Sequence, residues 1–277
     1  IHEEDLAKIN ALAEELNKEG MHVIGVAAKK KNVGDTTVFH AEDETNMTFL
    51  GIIAFLDPPK PDAKEAIRGL YDAGVHVKVI SGDAPVVVEH VCKLVGMKVG
   101  DQSAVTGSDL ENMSDAELSS VVEKNDIFAR LSPMQKKRVV DALRNNGHVV
   151  GYMGDGVNDA PSLHDADVGI SVDNGTDVAK ASADIILLEK SLTVILNGIY
   201  EGRRIYGNIL KYMKMALSSN FGNVFSVLIA SIFLPFLPML PLQILIQNLI
   251  YDFTQIAIPW DNVDDEFLQK PHKWNSA

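Results

Sequence analysis

Three short segments of this chain carry the residue types from which phosphoryl chemistry is built. The most specific is Gly154-Asp155-Gly156-Val157-Asn158-Asp159-Ala160-Pro161-Ser162, directly after the apolar run HVVGYM. Asp155 and Asp159 are hard oxygen ligands suited to Mg2+, Asn158 can donate to a phosphate oxygen, and Gly154 and Gly156 permit close backbone approach. Two acids, an amide and two glycines within six residues at the end of a strand point to a metal-assisted phosphate site rather than to a plain turn. The second segment is Ser81-Gly82-Asp83, after VHVKVI, where a hydroxyl, a flexible glycine and the free N–H groups of a helix start can cradle phosphate; alone it is also ordinary turn chemistry. The third runs from Ala129 to Lys136 (ARLSPMQK). Its Ser132 suits an N-cap and Pro133 the first helical position. Lys136, one turn in, can neutralise a phosphoryl group, although in isolation it also reads as a solvated surface lysine.

A second set of polar residues lies in an apolar setting. From Met215 to Trp260 the only charged residue is Asp252. Asn220 and Asn223 are three apart and share a helix face. Asn248, Asp252 and Gln255 follow the spacing i, i+4, i+7. Polar groups in a bilayer are expensive and face a pathway or one another, and helix–helix hydrogen bonding is the competing role for the asparagines.

The elements that must position these residues can be read from pattern. The chain has 277 residues, 46% hydrophobic and 23% charged, with a net charge of −13. That acidity repels nucleic acid and argues against such a partner. A single cysteine, Cys92, excludes an internal disulfide framework and reads as a small buried side chain. The start IHEEDLAKIN has no signal-peptide pattern, and both ends look like cuts within a longer sequence. Leu6, Ile9, Leu12, Ala13 and Leu16 predict a helix from Glu3 to Gly20, followed by strands at His22–Ala27 and Phe49–Leu56. Asp57-Pro58-Pro59-Lys60-Pro61 stops both helix and sheet and marks a hinge. From residue 62 to about 190, short apolar strands (75–80, 126–129, 148–153, VGIS and DIILL) alternate with helices (62–73, 84–96, 115–124, 133–146). That alternation predicts an α/β domain with a parallel sheet, whose ligands bind beyond the carboxyl ends of the strands. Asn220–Phe236 with its approach, and Leu242–Ile258, are each apolar enough for a membrane span, joined by a turn at Pro235, Pro238 and Pro241. Basic residues before the first span, and Lys270, His272 and Lys273 after the second, place both ends in the cytoplasm.

GDGVNDAP and the other two segments, in this order, resemble the motifs of the P-type ATPases. Ser81-Gly82-Asp83 is similar to that family's TGD and Asp57-Pro58-Pro59-Lys60 to its DPPR hinge. NNGHVVGYMGDGVNDAPSLHDADVGISVD, SSNFGNVFSVL and EFLQKPHKW resemble its magnesium-transporting branch. The resemblance covers essentially the whole chain. It implies a haloacid-dehalogenase-like Rossmannoid parallel sheet followed by a transmembrane helical hairpin: residues 1–57 as the tail of a nucleotide-binding domain, 58–195 as a phosphorylation domain, and 196–277 as stalk, hairpin and cytoplasmic tail. It further implies ATP and Mg2+ as cofactors. Ser81, Lys136, Asp155, Asn158 and Asp159 are the expected catalytic residues. Ser81, Gly82, Asp83, Arg130 and Lys136 are expected to bind the cofactor, and Asp155 and Asp159 the metal. Asn220, Asn223, Asn248 and Asp252 match the family's cation-site positions. With one carboxylate and several amides, such a site suits a partly hydrated Mg2+.

The family's phosphorylated aspartate stands in a DKTGT segment, which this sequence lacks; the resemblance places it upstream. Asp57 follows an apolar strand, but Pro58 offers no N–H and Pro59 stands where a second acid is needed, which disfavours it as a nucleophile. The expectation is therefore a piece of an ATP-driven Mg2+ pump of the cell membrane, multi-pass, with its catalytic part in the cytoplasm and with the rest of the same pump, ATP, a divalent cation and lipid as partners. A pump for another cation (Ca2+ or H+) and a truncated, non-catalytic membrane partner are the alternatives.

Overall fold

The computed structural model describes residues 3–30, 40, 44–56, 58–97, 104–189 and 191–272. Asp57, the polar stretch 31–39 and Lys273 lie outside the described residues. The chain forms two compact units, Ile1–Arg68 with Val77–Leu192, and Gly69–His76 with Thr193–Ala277.

The first unit opens with helix α1 (Glu3–Lys18) and the strands β1 (Met21–Ala28) and β2 (Thr48–Leu56), which pair antiparallel. Gly20, at φ +84°, ends α1 in the left-handed region that glycine adopts freely. Then come α2 (Ala63–Asp72), β3 (Val79–Ile80), α3 (Pro85–Leu94), β4 (Val105–Thr106), α4 (Gly107–Glu111), α5 (Asp115–Lys124), β5 (Ile127–Ala129) and α6 (Pro133–Asn145). They are followed by β6 (Gly151–Met153), α7 (Ala160–Asp165), β7 (Val168–Val172), α8 (Asp177–Ser182) and β8 (Ile185–Leu187).

The strands after β2 are all parallel, as their alternation with helices requires, but they form two three-stranded sheets, β3–β5–β4 and β6–β7–β8. Strand β5 shows how the first sheet is covered on both faces: Ile127 and Ala129 enter the core built with Ala63, Val88 and Cys92, while Phe128 enters the core of Leu110, Leu118, Val122 and Val139. All three residues are buried, the mark of a strand with helices on either side. Ile80 and Val150 pack against both the second core and a third, formed by Val140, Tyr152, Leu163 and Ala179, so the apolar interior runs on from one sheet towards the other. Strand β3 is shorter than the expected 75–80 because its ladder holds only Val79 and Ile80 against β5. The expected strand 148–153 likewise shrinks to β6.

The second unit is dominated by α9 (Leu192–Phe233) and α10 (Pro241–Gln255), with α11 (Asp265–Leu268) after a short 3-10 turn at Ile258–Trp260. Helix α9 is long and apolar enough to cross a membrane. The second expected span, Leu242–Ile258, ends earlier, at Gln255. As a helix of 15 residues, α10 rises ~22 Å, less than the ~30 Å of a hydrocarbon core. The segment after α10 is stapled to α9: Asn208 donates to the carbonyls of Pro259 and Asp261, and Lys211 to Asp261 Oδ2 and the Asn262 carbonyl. A Cβ on Gly207 would come within 2.9 Å of Val263, so glycine permits this close approach. Arg203 donates to the Ala73 and Leu268 carbonyls, each at 2.8 Å.

Candidate functional site

The strand ends of the first unit carry the loops singled out by sequence. The Ser81–Asp83 turn is closed on itself, with Ser81 Oγ donating to Asp83 Oδ2 (2.9 Å) and accepting from the Asp83 N–H (3.1 Å). It is bound to the β5–α6 loop by backbone hydrogen bonds. The Ser81 N–H donates to Phe128 O, the Arg130 N–H to Asp83 O and the Leu131 N–H to Ser81 O. Arg130 sits at φ +52°, a strained conformation for a non-glycine residue, and its side chain is exposed. Gly107 abuts this corner: a Cβ there would stand 2.4 Å from Arg130 O.

Helix α6 then begins as its sequence suggests. Ser132 caps it in a reciprocal box with Gln135, with Pro133 in the first turn. Lys136 and Lys137, adjacent in sequence, diverge. Lys137 pairs with Asp141 and Asp165, each at 2.6 Å, and these acids hold its ammonium above the ordinary lysine range. Lys136 turns inward and donates to Asp159 Oδ1 at 2.8 Å, the two side chains being only 12% and 14% exposed. Lys136 is thus not a solvated surface lysine.

Asp159 is the most heavily engaged acid of the site. Tyr152 donates its hydroxyl to the same Oδ1 at 2.9 Å, and the Gly156 N–H reaches Oδ2 at 3.3 Å. Burial, with the charge of Asp159, pushes the Tyr152 hydroxyl far up, so it stays protonated and donates. A Cβ on Gly154 would lie 2.6 Å from Asp159 Cβ, so only glycine lets the loop fold over this carboxylate. Asp155 is placed differently. Its backbone carbonyl accepts from the Thr176 N–H (2.9 Å), which fixes the residue, while its side chain is exposed. Among the described residues, the Asp155 carboxylate makes no hydrogen bond or ion pair. Asn158 is likewise exposed. The structure therefore joins Ser81, Gly82 and Asp83 to the backbone at Arg130, and Lys136 to Asp159. Among the described residues, no hydrogen bond links the Ser81 turn to the Asp155 loop. Tyr152 was missed by sequence reasoning: its place in an apolar run disguises a hydroxyl aimed at Asp159.

In the second unit, Asn223 accepts from Gln247 Nε2 at 2.9 Å, and Tyr251 donates to the Met215 carbonyl at 2.6 Å. Gln247 and Tyr251, four apart on α10, are thus hydrogen-bonded to α9, and Gln255, four further on, is buried. The Asn248–Asp252 pair is offset from that row. Asn220 and Asp252 are exposed, Asn248 is half-buried, and among the described residues the Asp252 carboxylate has no partner. Gln247, part of no sequence motif, is thus the amide that engages Asn223.

Residues 7–167 match the family described as haloacid dehalogenase-like hydrolase. Across 96% of its length the chain is 54% identical to a magnesium-transporting ATPase, P-type 1, of Salmonella typhimurium, and across 98% it is 53% identical to its namesake of Escherichia coli. It is 37% identical to calcium-transporting ATPase 1 of Bacillus cereus over 90% of the chain. The chain spans about three tenths of the length of these relatives, 28–30%. Parallel strands flanked by helices, the polar loops at their carboxyl ends and a match through most of the first unit converge on one conclusion: the chain belongs to the haloacid dehalogenase-like hydrolase family.

Proposed function

We propose that this chain is the rear part of the catalytic region of an ATP-driven pump, joined to part of its ion path, and that the transported cation is Mg2+. The observation that carries the reading is the contrast within the strand-end loop. Lys136 and Tyr152 immobilise Asp159, whereas the Asp155 carboxylate beside it is open. An open, fixed carboxylate next to an exposed asparagine is a hard-oxygen donor set that fits Mg2+. Asp155 would hold the ion with Asn158 nearby, and Asp159 would keep the loop in shape. When bound, Mg2+ neutralises charge that develops on a transferring phosphoryl group.

The chain's own residues supply the rest. The Ser81–Asp83 turn offers a hydroxyl and backbone N–H groups to a phosphate, Lys136 holds positive charge at the loop, and Arg130 extends from the adjoining corner. The reading further requires an acceptor aspartate outside this sequence, which would take up the phosphoryl group as an aspartyl phosphate. Both ends of the hairpin would lie in the cytoplasm, with the part of α9 from Asn220 onward, and α10, in the membrane. The likeness to magnesium-transporting ATPases, higher than to calcium-transporting ones, supports Mg2+, as does a path with one carboxylate among amides.

The test is Asp252→Asn in the full-length enzyme. ATPase activity should lose its dependence on Mg2+ as transported ion, while phosphorylation from ATP persists. Unaltered ion-dependent activity in a folded variant removes Asp252 from the path.

A further inference from the structure

Of the four side chains read as ligands of the transported cation, one is held and three are not. Among the described residues, the side chains of Asn220, Asn248 and Asp252 form no hydrogen bond or ion pair. Asn223 is tied: its Oδ1 accepts from Gln247 Nε2 at 2.9 Å. Among the described residues, this is the only hydrogen bond from side chain to side chain between α9 and α10. Gln247 belongs to none of the sequence motifs. A polar amide in an apolar span is costly unless it faces a pathway or another polar group.

The chemistry of the amide gives the contact its meaning. The two ends of an asparagine side chain are alike in shape and opposite in character, since the oxygen accepts and the NH2 donates. A cation takes the oxygen and is repelled by the N–H groups. An asparagine beside an ion path must therefore present the correct end. Gln247 Nε2 can only donate, so it selects the oxygen of Asn223 and fixes the flip of that amide. The oxygen has two lone pairs. One takes the Gln247 N–H and the other stays free for an ion. Gln247 directly precedes Asn248, ~1.5 Å along the helix axis. The bond thus draws Asn223 Oδ1 to the turn of α10 that carries Asn248, with Asp252 one turn further on.

Holding the hairpin together does not fall to this bond. Tyr251 ties α10 to the Met215 carbonyl at 2.6 Å, and Asn208 and Lys211 hold the chain beyond α10. Hydrogen bonds between membrane helices contribute little net stability, because separated helices find other partners.

We propose that Gln247 is a positioning residue of the cation path, which sets Asn223 with its oxygen, not its NH2, towards the ion. This rests on the reading of Asn223 as a ligand of the transported cation and adds to it a residue outside the expected site. An ion then meets an amide already turned its way. Loss of such an outer partner typically weakens ion binding about 10–100-fold.

The experiment is a double-mutant cycle in the full-length enzyme, read as ATPase activity against free Mg2+ with MgATP held constant. Gln247→Met keeps the size of the side chain and removes the donor. It should raise the half-saturating Mg2+ about tenfold, far more than it lowers the maximal rate. Asn223→Ala should raise it at least as much. In the Asn223→Ala background, Gln247→Met should add nothing, because its effect passes through Asn223. Gln247→Asn, which withdraws the amide by one methylene, should act in the same direction and serves as the readout if the methionine variant fails to fold. Parent half-saturation in both Gln247 variants, with a raised value in Asn223→Ala, overturns the positioning role and leaves Asn223 a ligand. Additive effects in the double variant overturn it as well. Parent half-saturation in a folded Asn223→Ala protein overturns the proposal together with the reading beneath it.

Discussion

Asp159 and Asp252 are both acids, one at a strand end of the first unit, the other on an apolar helix of the second, and their partners differ completely. Asp159 receives a lysine ammonium, a tyrosine hydroxyl and a backbone N–H. Asp252 receives nothing from the described residues. A carboxylate saturated by its own chain is committed to the fold. One held in place but left bare is available to something that arrives. By that criterion Asp155 belongs with Asp252, although sequence pairs it with Asp159 four residues away.

The contrast can be broken most decisively at the loop that carries Asp155 and Asp159. In the full-length enzyme, Asp155→Asn should cut phosphorylation from ATP by about two to three orders of magnitude, because a preorganised charge at the phosphoryl group is lost. Its unfolding temperature should hardly change. Asp159→Asn should show the reverse emphasis, with a clear loss of stability. Near-normal phosphoenzyme from Asp155→Asn would undo the distinction. The next largest effect is expected from Lys136→Met, which strands the Asp159 carboxylate. Removing one partner of a buried pair costs ~3–5 kcal/mol. With 12% and 14% of these side chains still exposed, about 2–3 kcal/mol is expected in denaturant unfolding. Smaller still, Tyr152→Phe removes one hydrogen bond to a charged acceptor and should cost about 1–2 kcal/mol, with phosphorylation largely kept; a loss as large as that of Lys136→Met would show that the hydroxyl, not the ammonium, holds Asp159.

The smallest effect concerns a group with no ligand role. Burial pushes the Cys92 thiol from 9.0 up to about 11. The unfolded thiol therefore ionises first, so its contribution to stability is complete below pH 9 and is lost as pH rises through about 11. Alkaline unfolding of wild type and Cys92→Ala should differ in slope in that window alone.

Much of the first unit was legible because its signals are local. The apolar faces of α1 and α6, the Ser132 cap with Pro133, and the run of short strands between helices each follow from spacing within a few residues. The three polar loops were picked out by composition, and the structure places each after a strand, β3, β5 or β6. What stayed hidden was non-local. That Lys136 turns inward while Lys137 turns outward depends on which acid the tertiary fold brings near. Strand β4 and helix α4 were missed because the two-residue ladder of Val105 and Thr106 has no pattern of its own. In the hairpin, spacing grouped Asn248, Asp252 and Gln255, whereas in the structure Gln255 is buried and Asp252 exposed. It could not tell that Gln247 and Tyr251 are the residues bonded to α9, because the rotation of a helix about its axis is set by its neighbour.

Helix α9 runs for 42 residues without a proline, and so ~63 Å without a joint. It is a lever arm. Turning one end by about 5° carries the other through roughly 5 Å, close to the rise of one helical turn. Asn208 and Lys211, which grip the chain beyond α10, sit in the first half of that arm, and Asn223 in the second. A single small rotation therefore moves Asn223 about twice as far as Asn208, shearing one polar row past the next without breaking a backbone hydrogen bond.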